Sequence, residues 1–385
     1  YCLQERAEAI SIVPHTSQAR QILHCPRTPN ATFRVASQLP RPPCSAPRAR
    51  PLRARDSAAL QAMVDLGLTA ALVPEEQGGL GLSAVDFILI AEECGRAALP
   101  EPIVDSCLVA TPMLVDADRA LEGSNSRLRE LLEAVASGEQ TVLCGPSIDP
   151  YINFAHSADY LLLPHGNEVH LVATDAVQLE LQTSVDLSRR LSKVSWQPRS
   201  ETCIARGEIG ADLWRSTLNR GALANAAQLL GLSEAMVARS VKFATDREQF
   251  GRPIGVNQAV KHLLADCAVK AEFAKPAIYR AAYTVAVAPT RADWSVSHAK
   301  ASAGDAAGAA SRNCTQVHGA MGYTWECDLH IWMKRAWTLD REWGDAGFHK
   351  NRIHEWLLQP KALLGPQYTF GRRHMGDAAN PITAV

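Results

Sequence analysis

The chain has 385 residues, 47% hydrophobic and 21% charged, and its 39 basic against 40 acidic residues leave a net charge of −1. That composition is globular, allows two or three domains, and excludes a nucleic-acid binder driven by bulk positive charge. No apolar run reaches the roughly 20 residues of a membrane span and no secretory signal pattern is present. Ten cysteines without a C-x-x-C pair exclude a zinc ribbon or thioredoxin motif and point to reduced thiols, hence a cytoplasmic setting.

Residues 1–55 hold nine Arg and eight Pro, with no acid after Glu8. The prolines bar a long helix, and such a segment is expected to stay disordered. An Arg-rich, acid-poor leader fits a mitochondrial transit peptide, although the prolines oppose the amphipathic helix such peptides use. The chain opens on Tyr1, so a fragment or a mistranslated leader fits as well. Residues 56–140 read as an all-helical domain. Leu60, Met63, Val64 and Leu66 recur at helical spacing. The glycines of Leu72–Leu82 lack phosphate-loop spacing and read as an inter-helix turn. Ser83 with Asp86 forms a capping box for a helix that stops near Gly95, and Ser126–Ala136 is a further helix. Residues 141–210 read as a short β domain of four to six strands, including Tyr160–Leu163, Val169–Val172 and Lys193–Trp196. Pro164-His165-Gly166-Asn167 supplies hairpin chemistry between the first two. Residues 211–365 read as a bundle of the four-helix type built from five helical segments: Leu218–Thr245, Gln258–Val287 with a kink expected at Pro276, Trp294–Gln316, Leu329–Leu339 and Ala346–Leu358. Residues 366–385 form a loose tail. The fold class is mainly α with a small middle β domain (α+β).

Three segments of the bundle resemble the acyl-CoA dehydrogenase family in order and separation. They are Asp246–Ile254 (DREQFGRPI), Asn257–Lys261 (NQAVK) and Gln316–Glu326 (QVHGAMGYTWE). Pro74–Gly81 resembles the family's N-terminal domain, and Asp186–Leu191 resembles the last part of its β domain. The resemblance spans roughly Leu52 to Leu358. It implies a flavoprotein with FAD between the β domain and the bundle and across a subunit interface. An acyl-CoA would be its substrate, an electron-transfer flavoprotein or similar acceptor its redox partner, and a homo- or hetero-oligomer its assembly. The implied cofactor residues are Arg247, Phe250, Gly251, Gln258, Ala259, Gln316, Val317, Gly319 and Ala320. Their chemistry suits the role: Arg247 can pair with a pyrophosphate, Phe250 can cover a ring, the small residues permit close backbone approach, and Gln258 and Ala259 open a helix, where anions bind.

The family's reaction removes an α-proton from an acyl thioester and passes a β-hydride to flavin, which requires a base. In the family that base is most often a Glu just before a Gly, downstream of the Gln316–Gly319 motif. Here the position holds Trp343, followed by Gly344. Glu342 falls one residue early and Asp345 two residues late. The family's other base position falls on Gly221. Three readings stay open. Glu342 or Asp345 serves after a local shift of the loop, an unrecognised residue serves, or the chain is a base-deficient subunit of a heteromeric enzyme, a group that Tyr323–Glu326 resembles. Asp345 also reads as a plain N-cap. The family's flavin-lining segment is reduced to Leu143–Asp149, with no strand expected between it and Ala158. No metal site is expected: the bundle histidines His298, His318, His330, His349 and His354 lack a repeated Glu-x-x-His pair.

Overall fold

The computed structural model describes residues 57–145, 148–359 and 362. The leader (1–55) and the tail (366–385) expected from the sequence lie outside the described residues. Helices α1 (Ser57–Asp65) and α2 (Ala84–Arg96) flank the glycine-rich segment. That segment folds as a short 3-10 turn at Glu75–Gln77 closed by left-handed Gly78. It is a tight turn and not a phosphate cradle: a Cβ on Gly79 would stand 1.9 Å from the Val73 carbonyl oxygen. The α2 start is the expected capping box, with the Ser83 amide donating to Asp86 Oδ2 at 2.9 Å and its hydroxyl at 2.7 Å.

A π-helical segment, Asp105–Ala110, then runs into α3 (Thr111–Ala120), followed by α4 (Ser126–Ala136). The sequence pattern does not announce the first two. Cys107 through Val115 are buried on every side, so no amphipathic period marks them, and Pro112 reads as a breaker. Its missing N–H is tolerated because it opens α3.

Among the described residues the β domain has seven strands rather than four to six: β1 (Val142–Cys144), β2 (Tyr151–Asn153), β3 (Tyr160–His165), β4 (Glu168–Ala173), β5 (Gln178–Leu181), β6 (Leu191–Ser195) and β7 (Cys203–Ala205). They form two sheets, ordered β1-β3-β4-β7 and β2-β6-β5. β2 occupies the stretch where no strand is expected. It is three residues long and pairs with β6 far along the chain, so its signal is not local. The β3–β4 turn is the two residues Gly166-Asn167, and Pro164 and His165 belong to the strand. Trp196 lies one residue past β6 and packs on the sheet core of Leu143, Leu161, Leu163 and Val172.

The bundle comprises α5 (Gly207–Asp246), α6 (Gln258–Val287), α7 (Ala292–His318), α8 (Leu329–Arg341) and α9 (Ala346–Leu357). Helix α5 starts eleven residues before the expected Leu218, its first turns carrying Gly207 and Gly210, poor helix formers. Helix α6 has the expected bounds and contains Pro276. Between α5 and α6 a short ribbon pairs β8 (Glu248–Gln249) with β9 (Arg252–Pro253). Helices α2 and α5 cross so closely that a Cβ on Gly95 would stand 2.1 Å from the Gln228 carbonyl oxygen, and one on Gly231 1.9 Å from that of Glu92. Arg335 clamps the three parts together. Its guanidinium, on a residue only 5% exposed, pairs with Asp186, and donates to the Leu99 carbonyl at 2.6 Å and to Ser188 Oγ at 2.6 Å. Among the described residues, no helix is long and apolar enough to cross a membrane.

Candidate active site

The four residues Glu342–Asp345 link α8 to α9. Trp343 and Gly344 both adopt positive φ, 58° and 96°, and the surroundings hold them there. Lys300 Nζ donates to the Asp340 carbonyl at 2.8 Å and to that of Gly344 at 3.2 Å. Burial pushes the Lys300 amine down to about 8. His349 is buried, with Nε2 2.9 Å from the Trp343 carbonyl and Nδ1 3.1 Å from Ser297 Oγ. Burial, with the Lys300 charge adding to it, pushes His349 down to about 3. The neutral ring therefore donates from Nε2 to the carbonyl and accepts at Nδ1.

Glu342 points inward. Its Oε1 accepts from Arg189 Nη2 at 2.7 Å and its Oε2 from Asn225 Nδ2 at 3.2 Å. The Arg189 side chain is 3% exposed, so this is a buried ion pair. Glu342 and Trp343 form one wall of a narrow cleft, and Asp105, Cys144, Tyr151 and Asn153 form the others. Asp105 comes from the π-helical segment, a distortion frequent at functional sites. Burial pushes its carboxyl up to about 7, and the Glu342 charge adds to that, against opposing pulls from Arg189 and Arg335.

Trp343 is 3% exposed and its indole packs on Gly221, where a Cβ would stand 2.1 Å from the ring atom Cδ2. The two positions at which a base is expected are thus in contact, and an indole fills the space between them. Asp345 faces elsewhere. It caps α9 by accepting from the Phe348 amide at 2.9 Å, and that bond holds its carboxyl below the usual range.

The expected cofactor residues meet at one end of the bundle. The last turns of α5 and α7 touch through stacked Phe243 and His318, centroids 4.2 Å apart, and Asn313 donates to the Leu263 carbonyl at 3.2 Å, tying α7 to the start of α6. Arg247, Gly251, Gln258, Ala259, Gln316, Gly319 and Ala320 are exposed there. Val317 is the exception: its side chain is buried, which leaves only its backbone for a ligand. Phe250 stands fully exposed at φ 53° beside Gly251 at φ 76°. The Asn257 side chain makes no cap bond to α6, and the first two residues of that 30-residue helix, Gln258 and Ala259, are exposed. A guanidinium unpaired among the described residues, a bare aromatic ring and a helix start without a side-chain cap suit a diphosphate joined to flat rings, so the residues present fit FAD. Pro146 and Ser147, in the expected flavin-lining segment, lie outside the described residues.

Asp105 is the residue of this cleft that sequence reasoning missed. The available signal is a lone acid in the apolar run from Ile103 to Val115.

The chain is similar to known proteins in both of its helical parts. The sequence profile of the acyl-CoA dehydrogenase N-terminal domain matches residues 45–139, and that of the C-terminal domain matches residues 208–358. Acyl-CoA dehydrogenase IpdE2 of Mycolicibacterium smegmatis is 30% identical over 271 residues, covering 70% of this chain and 78% of that protein. Acyl-CoA dehydrogenase FadE34 of Mycobacterium tuberculosis is 31% identical over 319 residues, 78% of this chain and 41% of that one. Among solved structures, butyryl-CoA dehydrogenase from Megasphaera elsdenii superposes with a TM-score of 0.74 at 18% identity, covering 90% of this chain and all of that one (100%). The ChsE4–ChsE5 complex from Mycobacterium tuberculosis superposes at 0.72 with 21% identity, covering 89% of this chain and 98% of that one. These likenesses establish a shared fold.

Proposed function

The chain belongs to the acyl-CoA dehydrogenase family, and from that premise we propose that it is an FAD-dependent oxidoreductase that desaturates an acyl-CoA thioester between its α and β carbons. FAD, when bound, supplies the hydride acceptor. The observation that carries the reading is the cleft beside Trp343, with two carboxyls, Glu342 and Asp105, facing it. The α-proton passes to one of this pair as the α C–H bond breaks, and the β-hydrogen leaves with its electron pair. Arg189 pairs with Glu342 and balances charge as the carboxyls exchange a proton. Asp105 has the proton affinity suited to a base at neutral pH. Trp343 excludes water from the cleft, and Lys300 with His349 keeps the loop in place. Arg247, Phe250 and the start of α6 hold the diphosphate and ring portion of the cofactor.

An electron-transfer flavoprotein is the fitting oxidant for the reduced cofactor. The exposed aromatics Phe250, Phe273, Tyr323 and Trp325 support assembly with a second subunit, identical or, as in the ChsE4–ChsE5 complex, different. The test is turnover of acyl-CoA with an artificial electron acceptor by D105N, E342Q and D345N. Loss in D105N or E342Q with D345N intact supports the reading. Full turnover in both D105N and E342Q would refute a base in this cleft. A flavin-loaded but inert wild type would instead identify a catalytically deficient partner subunit.

A further inference from the structure

A second set of chemistry sits on the β3–β4 hairpin. His165 and Glu168 face each other across the two-residue turn. His170 follows Glu168 by two positions, on the same face of the strand. Glu168 Oε2 lies 3.3 Å from His165 Nδ1 and 3.1 Å from His170 Nε2, and the three ligand atoms lie within 4.8 Å of one another. A tetrahedral zinc site with metal–ligand bonds of about 2.0–2.1 Å sets its ligand atoms roughly 3.3 Å apart. Two of the three separations already match. The third closes by rotation of His165, whose side chain is 59% exposed.

His170 is also oriented for the role. Its Nδ1 lies 2.9 Å from Thr202 Oγ1 and its Nε2 3.1 Å from Glu168 Oε2. The hydrogen bond between Nδ1 and the Thr202 hydroxyl fixes the ring with Nε2 aimed at the carboxylate, and a partner of that kind on the other ring nitrogen is the usual support of a metal-binding histidine.

The hairpin is also held rigidly. Trp214 Nε1 donates to the Glu168 carbonyl at 2.9 Å, and α5 approaches the turn so closely that a Cβ on Gly210 would stand 2.0 Å from the Asn167 carbonyl oxygen. We propose that His165, Glu168 and His170 form a binding site for one divalent transition-metal ion of the zinc class, with a fourth coordination position open to water or an external ligand. Two imidazoles and a carboxylate are a borderline donor set that suits zinc better than magnesium or calcium.

The test uses the full chain, untagged and stripped with a chelator. Zn²⁺ is titrated by calorimetry. Cu²⁺ is followed by quenching of tryptophan fluorescence, since the Trp196 ring lies 5.0 Å from that of His170. Wild type is expected to take up one equivalent. His165→Ala and Glu168→Gln should each weaken binding at least about tenfold, and Thr202→Val, which frees the His170 ring, by about 10–100-fold. Both ligand variants change side chains on the surface of the hairpin, and far-UV circular dichroism confirms their fold. Glu168→Gln keeps the side-chain shape and carries the test alone should His165→Ala misfold. The proposal is overturned if wild type takes up no Zn²⁺, the pair then being bridged by a proton only, or if Glu168→Gln binds as tightly as wild type.

Discussion

Replacing Arg335 by methionine (R335M) removes the clamp that joins α8 to the N-terminal domain and to the β domain. Methionine keeps most of the buried volume, so packing loss is small. The principal effect is on Asp186, which is only 4% exposed and loses its buried cation. Breaking a buried pair from one side costs about 3–5 kcal/mol, because the remaining charge is left uncompensated. The Leu99 carbonyl and Ser188 hydroxyl also lose donors. The pH dependence follows from Asp186. Burial pushes its carboxyl up, and the Arg335 charge with the Ser188 hydrogen bonds outweighs that, holding it below its ordinary value. A depressed carboxyl contributes stability above its unfolded pKa and loses it as pH falls through the folded value. The gap between wild type and R335M is therefore widest near neutrality and narrows as pH falls through about 4 and below. The assay is urea denaturation at several pH values, with the double variant D186N/R335M alongside. The double variant should recover part of the loss, since it no longer buries a lone charge. A loss under about 1 kcal/mol in R335M, or a double variant no more stable than R335M, would refute the reasoning.

Gly221→Ala forces a Cβ into the Trp343 indole and should destabilise by about 1–3 kcal/mol, read as a lower urea midpoint with altered tryptophan fluorescence. In Lys300→Met the buried amine is removed. Because the folded pKa of Lys300 lies near 8, below its unfolded value, wild type should gain stability relative to this variant as pH rises from about 8 to 10, by roughly 3 kcal/mol. A flat difference across that window would count against a buried charged Lys300. Arg247→Ala should lower the FAD content of the purified protein, and unchanged flavin stoichiometry would remove Arg247 from the diphosphate site.

Much of the bundle is legible because most of its helices are long runs of strong helix formers such as Ala and Leu, which mark even the middle of α5, where Gly221–Ser233 are all buried. Helix α6 runs over the residues expected, between the turn before Gln258 and Pro289. The π-helical segment and α3 are not legible, because a helix buried on all sides has no period. Strand β2 is hidden by its length and its distant partner. The proposed cofactor surface is readable because its residues lie in short contiguous segments. The cleft is not: Glu342 takes its partner Arg189 from 153 residues away, and Asp105 reaches the same cleft from the N-terminal domain. The His165, Glu168 and His170 set escapes a search for helical ligand spacing because a hairpin register assembles it.

The most direct test of the central claim is anaerobic addition of acyl-CoA to the purified, flavin-loaded protein. Hydride transfer from the substrate predicts loss of the flavin absorbance band near about 450 nm, with wild type bleaching and either D105N or E342Q failing to do so. A flavin-loaded wild type whose band stays unchanged across acyl-CoA substrates of different chain length and polarity would contradict the account.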